Sequence, residues 1–209
     1  MLTRKAGRRA TEMANITAAM VSELRARTTA GMMDCKKALV ACEGDLDKAC
    51  DYLREKGLAK AAKKAERTAA QGKMFTYIHS NEKLGVLLEL DCETDFVTRT
   101  DEFNALGHEI AMQIAATNPT YIKPEDVPAD ILEHEKSVII AQAREEGKPE
   151  KILPRIAEGR INKFYEENCL LEQKYIRDPD KKVKDLIIET IAKIGENIVV
   201  RRYARFIIS

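Results

Sequence analysis

The chain has 209 residues, of which 44% are apolar, 33% charged and only 5% aromatic, with no Trp; this balance excludes a disordered chain and suits a largely helical one with room for an ordinary domain and a small one. No run of about 18 apolar residues occurs and no apolar signal core follows the basic start, so neither a membrane span nor a secretory signal is predicted. The net charge of +1 hides an asymmetry, with residues 1–64 carrying +6 and the rest −5, which fits either an anionic partner for the first part or simply solvated helix faces.

Residues 1–12, MLTRKAGRRATE, hold Arg4, Lys5, Arg8 and Arg9 with no acid before Glu12 and no apolar period. A disordered basic arm over 1–13 is expected. MANIT at 13–17 then reads like a second protein start, so the arm is either an upstream-start extension or the remnant of an organelle-targeting segment.

From Thr17 the period becomes helical. Thr17 can cap a helix carrying Met20, Val21 and Leu24 on one face, a second helix is predicted over 33–40 and a turn at Gly44, and Asp45 caps a third with Leu46, Ala49, Cys50 and Leu53 before Gly57. These make a compact three-helix domain over 14–58. KAAKKAERTAA at 60–70 has strong helix propensity but almost no apolar stripe, which predicts a solvated helical connector over 59–71.

After Gly72 the period switches to two. A strand over 74–79, a turn at Asn81-Glu82-Lys83 and a strand over 84–92 with Val86, Leu88, Leu90 and Cys92 on one face form a hairpin. Asp101 can cap the following helix, whose side carries Phe103, Leu106, Ile110 and Ile114, so residues 94–97 fall at a strand-to-helix corner. Pro119, Pro124 and Pro128 mark a loop, and two helices over about 129–146 and 149–169, divided by Gly147-Lys148-Pro149, form an antiparallel pair. Asp178-Pro179-Asp180 reads as a turn and cap before a helix with Val183, Leu186, Ile187, Ile191 and Ile194. Gly195 ends that helix, and 198–207 alternates like a final strand. The fold class is therefore α+β, with a small antiparallel sheet packed by helices over 72–209; no repeat period occurs.

Catalytic patterns are missing. His79, His108 and His134 are scattered, and no zinc-protease, nucleophile-elbow, P-loop or dinucleotide motif occurs. Cys35, Cys42, Cys50, Cys92 and Cys169 form no C-x-x-C pair and read as reduced, mostly buried thiols. Asp91, Glu93 and Asp95 could hold a divalent cation, against the plainer reading of a solvated strand end. Phe96, between Asp95 and Arg99, either tucks into its own core or protrudes as an interface anchor. Met32 and Met33 cannot both face the core of a short helix, so one is expected to be exposed as an adaptable contact. On their own these residues indicate a binding protein rather than an enzyme.

ITA at 16–18 through Leu24-Arg25, Thr28 and GMMDCKKAL at 31–39 resemble the amino-terminal signature of the elongation factor Ts family, and CETDFV at 92–97 resembles its second signature. IKPEDV at 122–127, EGR at 158–160 and KIGENI at 193–198 with Arg201-Arg202 are similar to the family core, so the resemblance spans about residues 13–209. It implies a ubiquitin-associated-like (UBA-like) three-helix domain, a connector and a core domain. Long members carry two related core halves; this chain has one, so the resemblance implies a homodimer completing the missing half.

The activity implied is guanine-nucleotide exchange on elongation factor Tu in translation elongation. Asp95 and Phe96 would enter a groove of that GTPase and dislocate its Mg²⁺ and phosphate site, with Thr94 and Val97 shaping the corner. Arg25, Met32, Met33 and Lys36 would grip the same partner from the amino-terminal domain. Mg²⁺ and GDP or GTP would belong to the partner, and this chain would need no cofactor, metal, nucleic acid or membrane. Its expected place is the cytoplasm, or an organelle if residues 1–12 are a targeting remnant. Two other readings stay open on the residues alone: an adaptor recognising ubiquitin-like folds or peptides through residues 31–33, and a nucleic-acid binder using residues 4–9 and 60–64, although aromatic platforms are scarce.

Overall fold

The computed structural model describes residues 16–28 and 30–208, and the arm expected over 1–13 lies outside them. The chain divides into two units at Lys63 and Lys64.

The first unit contains α1 (Ala18–Thr28), α2 (Met32–Ala41) and α3 (Leu46–Ala62). Local chemistry sets their ends. Thr17 Oγ1 accepts the Met20 N–H at 3.3 Å, and Asp45 Oδ1 accepts those of Asp47 and Lys48 at 3.1 and 3.0 Å, satisfying amides that have no partner within their helix. Between α2 and α3 the chain turns through Glu43 and Gly44 at φ 53° and 85°, a region where glycine carries no Cβ penalty. Val21, Leu24, Cys35, Ala38, Leu39 and Ala49 are buried together, with Met20, Leu46 and Leu53 packed on them.

The expected stop at Gly57 does not occur. One interior glycine costs a helix only about 1 kcal/mol, and the Ala- and Lys-rich run that follows carries α3 on to Ala62. The connector is helical only that far; residues 63–70 are turns and extended chain. There the carbonyls of Ala65, Arg67 and Ala69 accept hydrogen bonds from the Asn197 and Arg201 side chains, and these contacts displace the local helical preference.

The second unit is built on a sheet ordered β1 (Gln71–Ile78), β2 (Leu84–Cys92), β5 (Ile198–Ile207), all antiparallel. β1 and β2 form the expected hairpin. Between β2 and β5 the register shifts at Glu89/Leu90, leaving Arg201 as the extra residue. Its guanidinium lies 2.7 Å from buried Asp91, so the bulge re-aims a charged side chain onto a carboxylate that would otherwise be buried unpaired. Phe75, Val86, Leu88 and Leu90 are buried on the sheet's inner face, as are Phe103, Leu106, Ile110 and Ile114 on the helix α4 (Asp101–Thr117) that packs there. The cap of α4 is Thr100, whose Oγ1 accepts the Phe103 N–H at 3.4 Å; Asp101, the expected cap, is the first helical residue.

The helices α5 (Ala129–Glu145) and α6 (Leu153–Asn168) pack through Ile139, Ala157 and Ile161, with Arg160 bridging to Glu146 at 3.0 Å. The turn expected at 178–180 falls earlier. β3 (Lys174–Tyr175) and β4 (Asp178–Lys182) form a second, two-stranded sheet, and Pro179 is tolerated because an edge strand has one row of amides free of any ladder. The cap of α7 (Val183–Ile194) is accordingly not Asp180: Asp185 Oδ2 reaches back to the Lys182 N–H at 2.9 Å.

α4 approaches β1 so closely at Gly107 that a Cβ there would overlap the Phe75 ring, itself enclosed by Phe103 and His108. Gly107→Ala gains roughly 1 kcal/mol of helix propensity but must displace a buried ring, an overpacking cost of about 1–3 kcal/mol. A lower midpoint of denaturant unfolding is expected; an unchanged or raised midpoint would show that the ring yields freely.

Candidate functional site

The corner begins where the β2–β5 ladder ends, at the pair Cys92↔Ile198. Beyond it, side chains replace the next rung. Glu93 Oε1 accepts the Asn197 N–H at 2.7 Å, while Glu196 Oε2 accepts the Thr94 N–H at 2.9 Å and its Oε1 the Thr94 hydroxyl at 2.7 Å. Each strand extension thus gives one backbone amide to a carboxylate of the other. Asn197, almost fully buried, ties the same place to the Ala65 and Arg67 carbonyls, and Arg67 stands 3.6 Å from Glu93.

The carbonyls that follow are all engaged. Cys92 Sγ donates to the Thr94 carbonyl at 3.1 Å, Thr98 Oγ1 to that of Asp95 at 2.6 Å, the Arg99 N–H to that of Phe96 at 3.2 Å and Thr100 Oγ1 to that of Val97 at 2.8 Å. Asn104 Nδ2 then bonds the carbonyls of Thr98 and Thr100 at 3.1 and 2.7 Å. Burial pushes the Cys92 thiol up to about 11, and the charges of Glu196 and Asp91 add to the effect, so near neutral pH it stays protonated and keeps its role as donor.

On this fixed backbone the four predicted residues separate. Val97 is buried and Thr94 turns inward to Glu196, whereas Asp95 faces solvent and the Phe96 side chain is 74% exposed, one of the most exposed large apolar groups among the described residues. Asp95 pairs only loosely with Arg99, at 3.3 Å and in the open, an interaction worth little. A cation site is not assembled: Asp91 holds Arg201, Glu93 holds the Asn197 amide, and no group of three or more potential ligands converges among the described residues.

The first unit presents the other predicted residues. Met32 and Met33 are 59% and 63% exposed, so both rather than one face solvent. The buried stripe of α2 starts only at Cys35, a turn further on. Arg25 and Lys36 are exposed as well. Val40, which sequence reading left aside, is also exposed and lies two turns after Met33 on the same face of α2.

Glu196, Asn197 and Arg67 were likewise not singled out for the corner. KIGENI at 193–198 shows a helix ending at Gly195 (φ 91°), but a pairing that spans 102 residues leaves no trace in local spacing.

Among the described residues no helix is long and apolar enough to cross a membrane. A family model described as elongation factor TS matches residues 10–190. A protein of Thermoanaerobacter sp. (strain X514) named elongation factor Ts is 63% identical over 191 residues, covering 91% of this chain and 94% of its own length. One of Caldanaerobacter subterraneus subsp. tengcongensis with the same name is 62% identical, covering 91% and 96%, and one of Geobacter sulfurreducens is 57% identical, covering 93% and 90%. The chain belongs to the elongation factor Ts family, whose membership implies nucleotide exchange on elongation factor Tu during translation elongation.

Proposed function

We propose that this chain releases GDP from elongation factor Tu by driving Phe96, with Asp95 beside it, into the GTPase and disturbing the elements that hold Mg²⁺ and the phosphates. The observation that carries the reading is an aromatic ring held out in solvent on a backbone whose polar groups are satisfied internally. A GTPase retains its nucleotide largely through phosphate contacts and a charge-neutralising Mg²⁺. A rigid wedge that shifts the ion's supports weakens both. No bond of the nucleotide is made or broken, and the chain needs no cofactor of its own.

Linkage sets the thermodynamics: whatever factor separates GDP affinities with and without the exchange factor also separates the exchange factor's affinities with and without GDP. The exchange is therefore reversible, and GTP can rebind. Arg25, Met32, Met33 and Lys36 supply a second grip on the same partner, in which the unbranched thioethers adapt to its surface.

The outer face of the sheet supports a homodimer. Cross-strand rows Ile78–Gly85–Phe206, Thr76–Leu87–Ala204 and Met74–Glu89–Arg202 lie on the side opposite α4, and Ile78 and Phe206 are 64% and 69% exposed. A contiguous apolar patch on a sheet face marks an interaction surface, and a second copy would cover it while bringing a second Asp95–Phe96 corner into the assembly.

Three outcomes are expected. Phe96→Ala slows stimulated GDP release by roughly 30-fold, the loss of an anchor worth about 2 kcal/mol, and weakens binding less; unchanged stopped-flow release would remove the wedge. Replacing Met32 and Met33 together by Lys raises the half-saturating concentration roughly tenfold, as loss of about 1.4 kcal/mol of apolar contact does, while the saturated rate stays close to that of the unaltered chain. In sedimentation, Leu87→Lys with Phe206→Glu converts a dimer to a monomer at the same concentration; an unaltered chain that already sediments as a monomer would exclude the dimer.

A further inference from the structure

The least explained feature of the corner is the use made of Glu196. Both its oxygens are spent on one residue, Oε2 on the Thr94 amide and Oε1 on the Thr94 hydroxyl, and Thr94 immediately precedes the presented pair Asp95 and Phe96. Glu196 follows Gly195, which ends α7 in the left-handed region at φ 91°, so the end of α7 fixes where the carboxylate stands. The reciprocal bond from the Asn197 amide to Glu93, and Asn197's own bonds to Ala65 and Arg67, hold the carboxylate's backbone in turn. Downstream of Thr94 the turn is pinned through Thr98, Thr100 and Asn104. At Thr94 itself, the amide and hydroxyl are held by the Glu196 carboxylate and the carbonyl by the Cys92 thiol, while the neighbouring Glu93 is held by the Asn197 amide.

We propose that Glu196 is a positioning residue for nucleotide exchange: it touches neither nucleotide nor partner but fixes the direction in which Phe96 leaves the chain. This rests on the corner being the element that opens the partner's phosphate site. A wedge must arrive at a set angle, and displacement of a reacting or prying group by about 1 Å can reduce a rate by orders of magnitude. Without the carboxylate, Thr94 samples several orientations and Phe96 enters productively in only some of them. Binding, which the exposed methionines of α2 also support, suffers less than the rate.

The test is stopped-flow release of a fluorescent GDP from elongation factor Tu, titrated with the full chain carrying Glu196→Ala, Glu196→Gln, Thr94→Val, Phe96→Ala, or Phe96→Ala with Glu196→Ala, each also followed through thermal unfolding. Glu196→Ala is expected to lower the saturating rate about tenfold with less than about a threefold change in half-saturating concentration. Glu196→Gln should stay within about twofold of the unaltered chain, because the amide oxygen still accepts the Thr94 N–H and the amide nitrogen can donate to the hydroxyl. The double variant should be no slower than Phe96→Ala alone, since both changes disable one device. Glu196→Ala at full rate while Phe96→Ala is slow overturns the positioning role and leaves the corner reading standing; so do losses that multiply in the double variant, or a Gln variant as slow as the Ala variant. Phe96→Ala at full rate overturns the corner reading and this proposal with it. Should Glu196→Ala fail to fold, Thr94→Val, which loses only the hydroxyl bond, decides: a several-fold slower saturating rate supports the role and an unchanged one overturns it.

Discussion

Pairing between β2 and β5 joins two segments about a hundred residues apart, and the presented phenylalanine exists as a fixed feature only because that ladder closes. Bringing such distant segments together costs conformational entropy that grows slowly with loop length, and the ladder with its apolar underside, Val86, Leu88, Leu90, Ile198 and Val200, offsets it. At the end of the ladder the backbone bonds stop, yet the chain cannot fray there. Glu93 and Glu196 each take one amide from the continuation of the opposite strand. Charge-assisted bonds of this kind are stronger than neutral ones, so the last step before the corner is the least able to slip.

Features governed by local rules were legible in the sequence. The alternation over 198–207 and over 84–92 is a property of a half-buried strand whatever it pairs with, and both strands stand where the period of two places them. Asp45 and Thr17 act within three residues of themselves, so their caps could be read directly. Local preference gives way where tertiary contacts outweigh it. α3 passes Gly57, residues 63–70 leave the helical path to meet Asn197 and Arg201, and β4 forms across a proline because Lys174 and Tyr175 lie beside it. At the corner, the composition of residues 94–97 pointed to the place but not to the orientation of each side chain. Which residues face out is decided by Glu196, Thr98 and Asn104, and the first of these is distant in sequence.

Exchange places an unusual demand on structure because there is no transition state of bond-making to stabilise. Everything is done by differential affinity: the factor must bind the partner's opened state better than its closed one, and only that difference moves the nucleotide. Flexible contact surface binds both states alike and contributes little to the difference. Stiff surface that fits only the opened state contributes most.

Two of the exposed apolar sites divide along that line. Met32 and Met33 stand exposed at the start of α2, and in the proposed complex their long unbranched side chains could follow a partner through its change of shape. Phe96 is the opposite, a ring with two rotatable bonds on a backbone whose carbonyls from Thr94 to Thr98 are all engaged. In the proposed complex little would be left to order at this ring, so less of its contact energy would be lost to immobilisation. Keeping such a ring in water forgoes the burial of a large side chain, about 1.5–3 kcal/mol, and a free chain gains nothing from it. Under the proposed exchange mechanism that burial is deferred to the complex, where it can drive the partner's rearrangement.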